Sequence, residues 1–126
     1  MEAAVLIVDD SKLARIVVGK AVAALQPTWR RLEASNAAEA ISLLENQTVD
    51  LVIVDFNMPG TNGLELAEQL RAEYPRMPIA LATANVQDEV IAKARAANVS
   101  FVVKPVTEEG MRGFISGAVL QLSAGA

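Results

Sequence analysis

Apolar runs alternate five times with segments of helical period along this chain, and that alternation restricts the possible folds more than any single residue does. It is the pattern of a parallel sheet covered by helices. Two runs, Val5-Leu-Ile-Val8 and Leu51-Val-Ile-Val54, are unbroken aliphatic stretches. They suit central strands buried on both faces. The reading predicts strands near Ala4–Asp9, Arg31–Ala34, Leu51–Asp55, Ile79–Thr83 and Phe101–Val103. The second is short and mixed, which suits an edge. Predicted helices run over Ser11–Leu25, from an Asn36 cap with Glu39 in capping-box spacing, from after Gly63 to Tyr74, over Gln87–Ala97, and from Thr107. The second helix should bury Ala37, Ala40, Ile41 and Leu44. No linker or repeat interrupts the pattern, so one doubly wound α/β domain is expected over residues 1–126.

What the chain lacks narrows its chemistry. It has no cysteine, hence no disulfide, thiolate metal site or thiol nucleophile. It has no histidine, hence no imidazole base and no phosphohistidine of its own. Net charge is −4 without a basic stripe, so direct nucleic-acid binding is not expected. Eight acids and one base lie between Glu33 and Glu73, which reads as the solvated outer faces of two helices. No apolar run approaches the roughly 18 residues that a membrane span needs, and Met1-Glu2-Ala3-Ala4 carries no basic stretch. Neither a transmembrane helix nor a signal peptide is expected. The glycines of the last helix, Gly110, Gly113 and Gly117, each cost about 1 kcal/mol relative to alanine. Close packing of Gly113 and Gly117 on the sheet is the expectation, with self-association through them as the alternative.

Right-handed crossovers bring every strand's C-terminal end to one rim, where ligands of open α/β sheets bind. Along that rim the chain places Asp9 and Asp10, then Asp55, then Thr83, then Lys104-Pro105. Three carboxylates on one rim need a compensating cation or perturbed protonation. Carboxylates suit a hard divalent cation, and a hydroxyl with an ammonium suits phosphate oxygens. No member of the set is specific by itself; together they point to Mg²⁺-dependent phosphoryl chemistry.

Over essentially its full length the sequence resembles the receiver domains of bacterial two-component signalling, of the chemotaxis single-domain kind. The residues that carry the resemblance are Asp9-Asp10, Asp55 within Val54-Asp-Phe-Asn-Met-Pro-Gly60, Gly63, Thr83-Ala84 and Phe101-Val-Val-Lys104-Pro105. The resemblance implies a flavodoxin-like five-stranded sheet of order 2-1-3-4-5 with five helices. It makes Asp55 the acceptor of a phosphoryl group from a phosphohistidine. It makes Asp9, Asp10, Asp55 and the backbone carbonyl of Asn57 the holders of Mg²⁺, Asp9 through a metal-bound water. Lys104 would pair with Asp55 and then with the phosphate, across a cis bond to Pro105. Thr83 and Phe101 would form the switch that alters the surface of the fourth helix, fifth strand and fifth helix. Phenylalanine stands at 101 where many members carry tyrosine. Asn57 and Asn85 occupy positions that tune phosphate lifetime, Ala84 leaves access to the site, and Met58 packs above it.

The first helix is apolar beyond one stripe, so some of Leu13, Ala14 and Val17 should remain near solvent. In the family this is where a sensor histidine kinase or histidine phosphotransfer protein docks. A downstream output partner, a cytoplasmic location, and a monomer able to dimerise on phosphorylation complete the implied picture. A phosphatase of haloacid-dehalogenase type would want a second Asp two residues after Asp55, where Asn57 stands. A receiver that only binds partners sits poorly with the intact acid set. The chain is expected to be either a stand-alone regulator or a receiver from a longer protein.

Overall fold

The computed structural model describes residues 2–84 and 87–124. The strands are β1 (Ala4–Val8), β2 (Arg30–Ala34), β3 (Leu51–Asp55), β4 (Ile79–Thr83) and β5 (Ser100–Val103). The helices are α1 (Lys12–Leu25), α2 (Ala37–Asn46), α3 (Gly63–Glu73), α4 (Asp88–Ala96) and α5 (Glu108–Ala124). All strand pairs are parallel and the sheet order is β2-β1-β3-β4-β5, the expected flavodoxin-like arrangement. β2, the mixed strand, lies at an edge.

Alternation within each strand builds two cores. Leu6, Val8, Val52, Val54, Ile79 and Leu81 point to one face, where Ala40 of α2, Leu66 and Leu70 of α3 and Val90 and Ala94 of α4 cover them. Val5, Ile7, Leu51, Ile53, Ala80 and Val102 point to the other, beneath Val18 and Val22 of α1 and Met111 and Ile115 of α5. Each fully buried aliphatic side chain contributes about 1.5–3 kcal/mol relative to exposure. That burial fixes the register, because a slip of one residue would send every side chain to the wrong face. Among the described residues no helix is long and apolar enough to cross a membrane.

Two local expectations are corrected. The Asn36 side chain caps α2 through the Glu39 N–H at 2.9 Å, but the Glu39 carboxylate turns to the Ser35 N–H at 2.8 Å and to the Ser35 hydroxyl rather than to Asn36. The reciprocal capping box belongs instead to α3, between Asn62 and Glu65. The glycines of α5 do not pack on the sheet: a Cβ at Gly113 or Gly117 would meet nothing within 4 Å, and both residues are exposed. In helical projection Ala118, not these glycines, is the small residue turned to the core.

Candidate functional site

The acidic site forms because three strands end together. Asp9 stands one residue beyond β1, and its N–H donates to the Ala34 carbonyl at 3.1 Å, which ties it to the end of β2. Asp55 is the last residue of β3, in register with Ala82 of β4. Thr83 closes β4, fully buried, and its carbonyl accepts the Lys104 N–H at 2.9 Å, so the β5 exit is held beside the β4 end. The Lys104-Pro105 peptide is cis, as expected.

Asp9 and Asp55 are 3% and 4% exposed, a depth at which carboxylates need compensation, whereas Asp10 faces solvent. One oxygen from each of the three lies within 4.8 Å of the others. The Lys104 ammonium sits 2.5 Å from Asp55 Oδ1 and 3.6 Å from Asp9 Oδ2. Beyond that ammonium no donor among the described residues reaches the buried Oδ1. Burial pushes the Asp9 carboxyl above its usual range, and the charges of Asp55 and Asp10 add to it; the Ser11 N–H and Lys104 only partly offset them. Burial disfavours the Lys104 ammonium, but hydrogen bonding and charge from Asp55, then Asp9, outweigh it and hold its pKa above the ordinary value.

One ammonium facing three carboxylates leaves the cluster short of positive charge. The donor set is all oxygen. Octahedral Mg²⁺ takes oxygens at about 2.1 Å, so opposite ligands stand about 4.2 Å apart. A cluster already within 4.8 Å fits such an ion with small side-chain adjustment. The arrangement is consistent with the metal site of receiver domains.

Glycine at position 63 is a steric requirement of this rim. A Cβ there would lie 2.0 Å from the Asp55 carbonyl oxygen and 2.8 Å from Phe56 Cα. Without it, α3 closes against the β3 end through the Gly63 N–H to the Phe56 carbonyl, 2.9 Å. Gly60, at φ +78°, turns the preceding loop in the left-handed region that glycine tolerates.

The remaining predicted residues fall as follows. Asn57 is exposed two residues past Asp55; Met58 is buried with Leu64 in the core above the sheet. Ala84 is exposed, and Asn85 lies outside the described residues. Phe101 is half-buried against the α4-side core. On α1, Leu13 is 71% and Val17 43% exposed, with Ala14 half-buried between them. Ile16, 42% exposed, extends that surface and was not singled out from the sequence. Arg15 was missed as well. Its Nη1 donates to the Asp9 carbonyl at 2.7 Å while its Nε pairs with Glu33 at 2.8 Å, so it clamps the Asp9 backbone from α1. The Ser11 N–H, donating to Asp9 Oδ1 at 2.9 Å, completes the clamp. Only the position of Arg15, one turn into the helix that follows the acid pair, hinted at this.

An acid cluster and a lysine on the C-terminal rim of a doubly wound parallel sheet define an α/β domain with a candidate cation site at its strand ends. Comparison with known proteins gives the family. Residues 5–116 match the response regulator receiver domain profile. A chemotaxis protein CheY homolog of Campylobacter jejuni is 38% identical over 111 residues, covering 85% of each chain. The chemotaxis protein CheY of Pseudomonas aeruginosa is 31% identical over 111 residues, covering 86% of this chain and 89% of its own. Among solved structures, Vibrio cholerae chemotaxis protein CheY4 superposes with TM-score 0.82 at 26% identity, covering 94% of this chain and 99% of that one. The chain belongs to the response regulator receiver family, in its CheY-like form. Membership implies a histidine kinase partner.

Proposed function

We propose that this protein is a phosphorylation switch in which Asp55 accepts a phosphoryl group from a partner phosphohistidine. The observation that carries the reading is the Lys104 ammonium 2.5 Å from Asp55 Oδ1, inside a group of three carboxylates with oxygens within 4.8 Å. A bound Mg²⁺, held by Asp9, Asp10, Asp55 and the Asn57 carbonyl, would supply charge neutralisation for the incoming anion. The chain's own residues do the rest. An Asp55 carboxylate oxygen attacks phosphorus; the new P–O bond forms as the P–N bond breaks, and the electron pair returns to the departing imidazole. Lys104 exchanges its Asp55 contact for a phosphoryl oxygen. The Thr83 hydroxyl, at the buried end of β4, donates to a second one.

The buried position of Thr83 and the half-buried one of Phe101 support a switch. Drawing Thr83 toward the phosphoryl group moves the β4–α4 loop and opens room for half-buried Phe101 to turn inward. The changed surface of α4, β5 and α5 then addresses an output partner. Asn57 and Asn85 set how long the acyl phosphate survives water. The protein modifies itself and turns over no external metabolite. Leu13, Ala14 and Val17 receive the phosphodonor beside the acid cluster.

Incubation with acetyl phosphate and Mg²⁺ tests this. The intact mass should rise by one phosphoryl group, and Asp55→Asn should abolish the gain. An unchanged wild-type mass overturns the reading, and multiple turnovers on simple phosphate esters would replace it with a phosphatase.

A further inference from the structure

The net charge of −4 hides a strong polarity. Residues 11–32 contain five bases (Lys12, Arg15, Lys20, Arg30, Arg31) and no acid, so the remainder of the chain carries six bases against fifteen acids. The fold gathers four of these five onto one side, Lys12, Arg15 and Lys20 on α1 and Arg31 on the face of edge strand β2 that meets α1, while Arg30 turns the other way and donates to the Thr48 carbonyl. Arg15 is engaged with Glu33 and the Asp9 carbonyl, which consumes the nearest acid. Lys20 and Arg31 are exposed, and with Ile16 they line a cleft of about 190 Å³ between α1 and β2. No ion pair of Lys12, Lys20 or Arg31 occurs among the described residues. In helical projection Lys20 falls on the same face as the exposed apolar residues Leu13, Ile16 and Val17.

Resting on the reading of α1 as the phosphodonor's seat, we infer that the partner which docks there presents an acidic surface around an apolar patch. Leu13, Ile16 and Val17 form the apolar centre of the contact, and Lys12, Lys20 and Arg31 form its cationic rim. Rim charges set encounter rate and partner choice more than they add affinity. A donor with a basic rim would be repelled here, whereas elsewhere on this acidic molecule it would be attracted. The cationic rim therefore directs an acidic donor to the side of the molecule where Asp55 can be reached. Nucleic acid fits less well. Apolar side chains interrupt the cations, no aromatic is exposed among them for base stacking, and the rest of the molecule repels phosphate.

The experiment uses the histidine kinase of the same genome that transfers fastest to this protein, purified and radiolabelled on its histidine. Transfer kcat/KM is measured between about 50 and 500 mM NaCl, a range over which exposed charges become screened. Wild-type kcat/KM should fall about tenfold across it, the order expected of electrostatic steering. Lys20→Glu with Arg31→Glu should lose about tenfold at low salt and level the salt dependence, with the glutamine pair intermediate. Each variant's rate is divided by its acetyl phosphate labelling rate, which removes any effect on folding or on Asp55. A salt-independent wild type, or a normalised rate unchanged by both pairs of substitutions, overturns the inference. Binding of a fluorescent DNA duplex at about 50 mM NaCl that is lost in the glutamate pair also overturns it, in favour of nucleic acid. Absence of labelling by acetyl phosphate strikes instead at the phosphoacceptor reading beneath it.

Discussion

Replacing Asp9 with asparagine should make the metal-free protein more stable. Asp9 is 3% exposed, and its carboxylate lies within 4.8 Å of those of Asp10 and Asp55. At an effective dielectric constant of about 20, each such pair repels by at least about 3.5 kcal/mol. The Lys104 ammonium at 3.6 Å returns about 4.6 kcal/mol. Asp10 faces water, so much of its share is screened, and charge–charge terms alone then leave Asp9 near balance or slightly repulsive. Desolvation of a buried carboxylate decides the sign, in agreement with the upward shift of the Asp9 pKa. Asparagine keeps the shape and the acceptor for the Ser11 N–H while removing the charge. The expected gain is about 1–3 kcal/mol, or about 3–10 °C in Tm for a chain of this size. Urea and thermal unfolding in EDTA at pH 7.5 measure it.

The pH dependence supplies a second handle on the same group. Because the folded-state pKa of Asp9 lies above the ordinary 3.8 of an unfolded chain, the folded state holds the proton more tightly than the unfolded one. Asp9 therefore destabilises the metal-free fold above its folded pKa. That penalty is relieved as pH falls toward 3.8 and does not change further below it. The asparagine variant should lose this component, so its advantage shrinks on acidification. Mg²⁺ should stabilise wild type more than the variant. A variant that is less stable than wild type in EDTA at neutral pH refutes the charge-crowding account.

Three further outcomes follow from the geometry. Gly63→Ala forces a Cβ to within 2.0 Å of the Asp55 carbonyl oxygen, a backbone atom that cannot turn aside, and should cost about 3 kcal/mol or more in urea unfolding; a loss below about 1 kcal/mol would mean that the α3 start can move. Arg71→Met removes four hydrogen bonds from one guanidinium to the carbonyls of Tyr74, Pro75, Ala97 and Asn98, which should cost about 2–4 kcal/mol and speed amide exchange around Val99; exchange unchanged there would show that the α4–β5 turn holds without it. Lys104→Met should destabilise the EDTA-treated protein by about 2 kcal/mol at pH 7. The wild-type contribution of Lys104 is complete below its unfolded pKa near 10.5 and fades as pH rises through the higher folded value, so the two unfolding curves should converge in strong alkali. Curves that stay parallel there would count against the ion pair.

Strand identity was legible because β1 and β3 are buried on both faces and admit only aliphatic residues between their ends. The rim constellation was legible for a related reason: Asp55 follows four buried apolar residues, and the fold leaves its carboxylate one place to go. Capping partners were less so: Glu39 follows Asn36 by three residues and Ser35 by four, and spacing alone does not choose between the two N–H groups, of which its carboxylate takes that of Ser35. The outward direction of Gly113 and Gly117 was hidden for a simple reason. Glycine carries no side chain to report a face, and the apolar residues around them, Phe114, Ile115, Ala118 and Val119, mark an inner stripe only once the helical phase is known. Arg71 was invisible because its partners are backbone carbonyls, which every sequence supplies, and Arg15 because one of its two is such a carbonyl and the other, Glu33, lies 18 residues away.

The site and the fold make opposing demands, and Asp9 shows how they are reconciled. A domain optimised for stability would not gather three carboxylates around one ammonium at the end of its sheet. The chain tolerates them because the two buried ones are set on rigid supports, Asp9 by β2, Ser11 and Arg15, and Asp55 by β3 and the close approach of Gly63, while Asp10 faces solvent. Such supports prevent the repelling groups from moving apart. The buried charge that Lys104 offsets only in part is what a bound cation would compensate, so cation binding and stability should be coupled here. On this reasoning, variants that relax the supports, such as Arg15→Met, should weaken Mg²⁺ binding even though Arg15 offers the ion no ligand. Titration of metal against Tm would show it. Unchanged affinity in a folded Arg15→Met protein would mean that the carboxylates hold their places without the clamp.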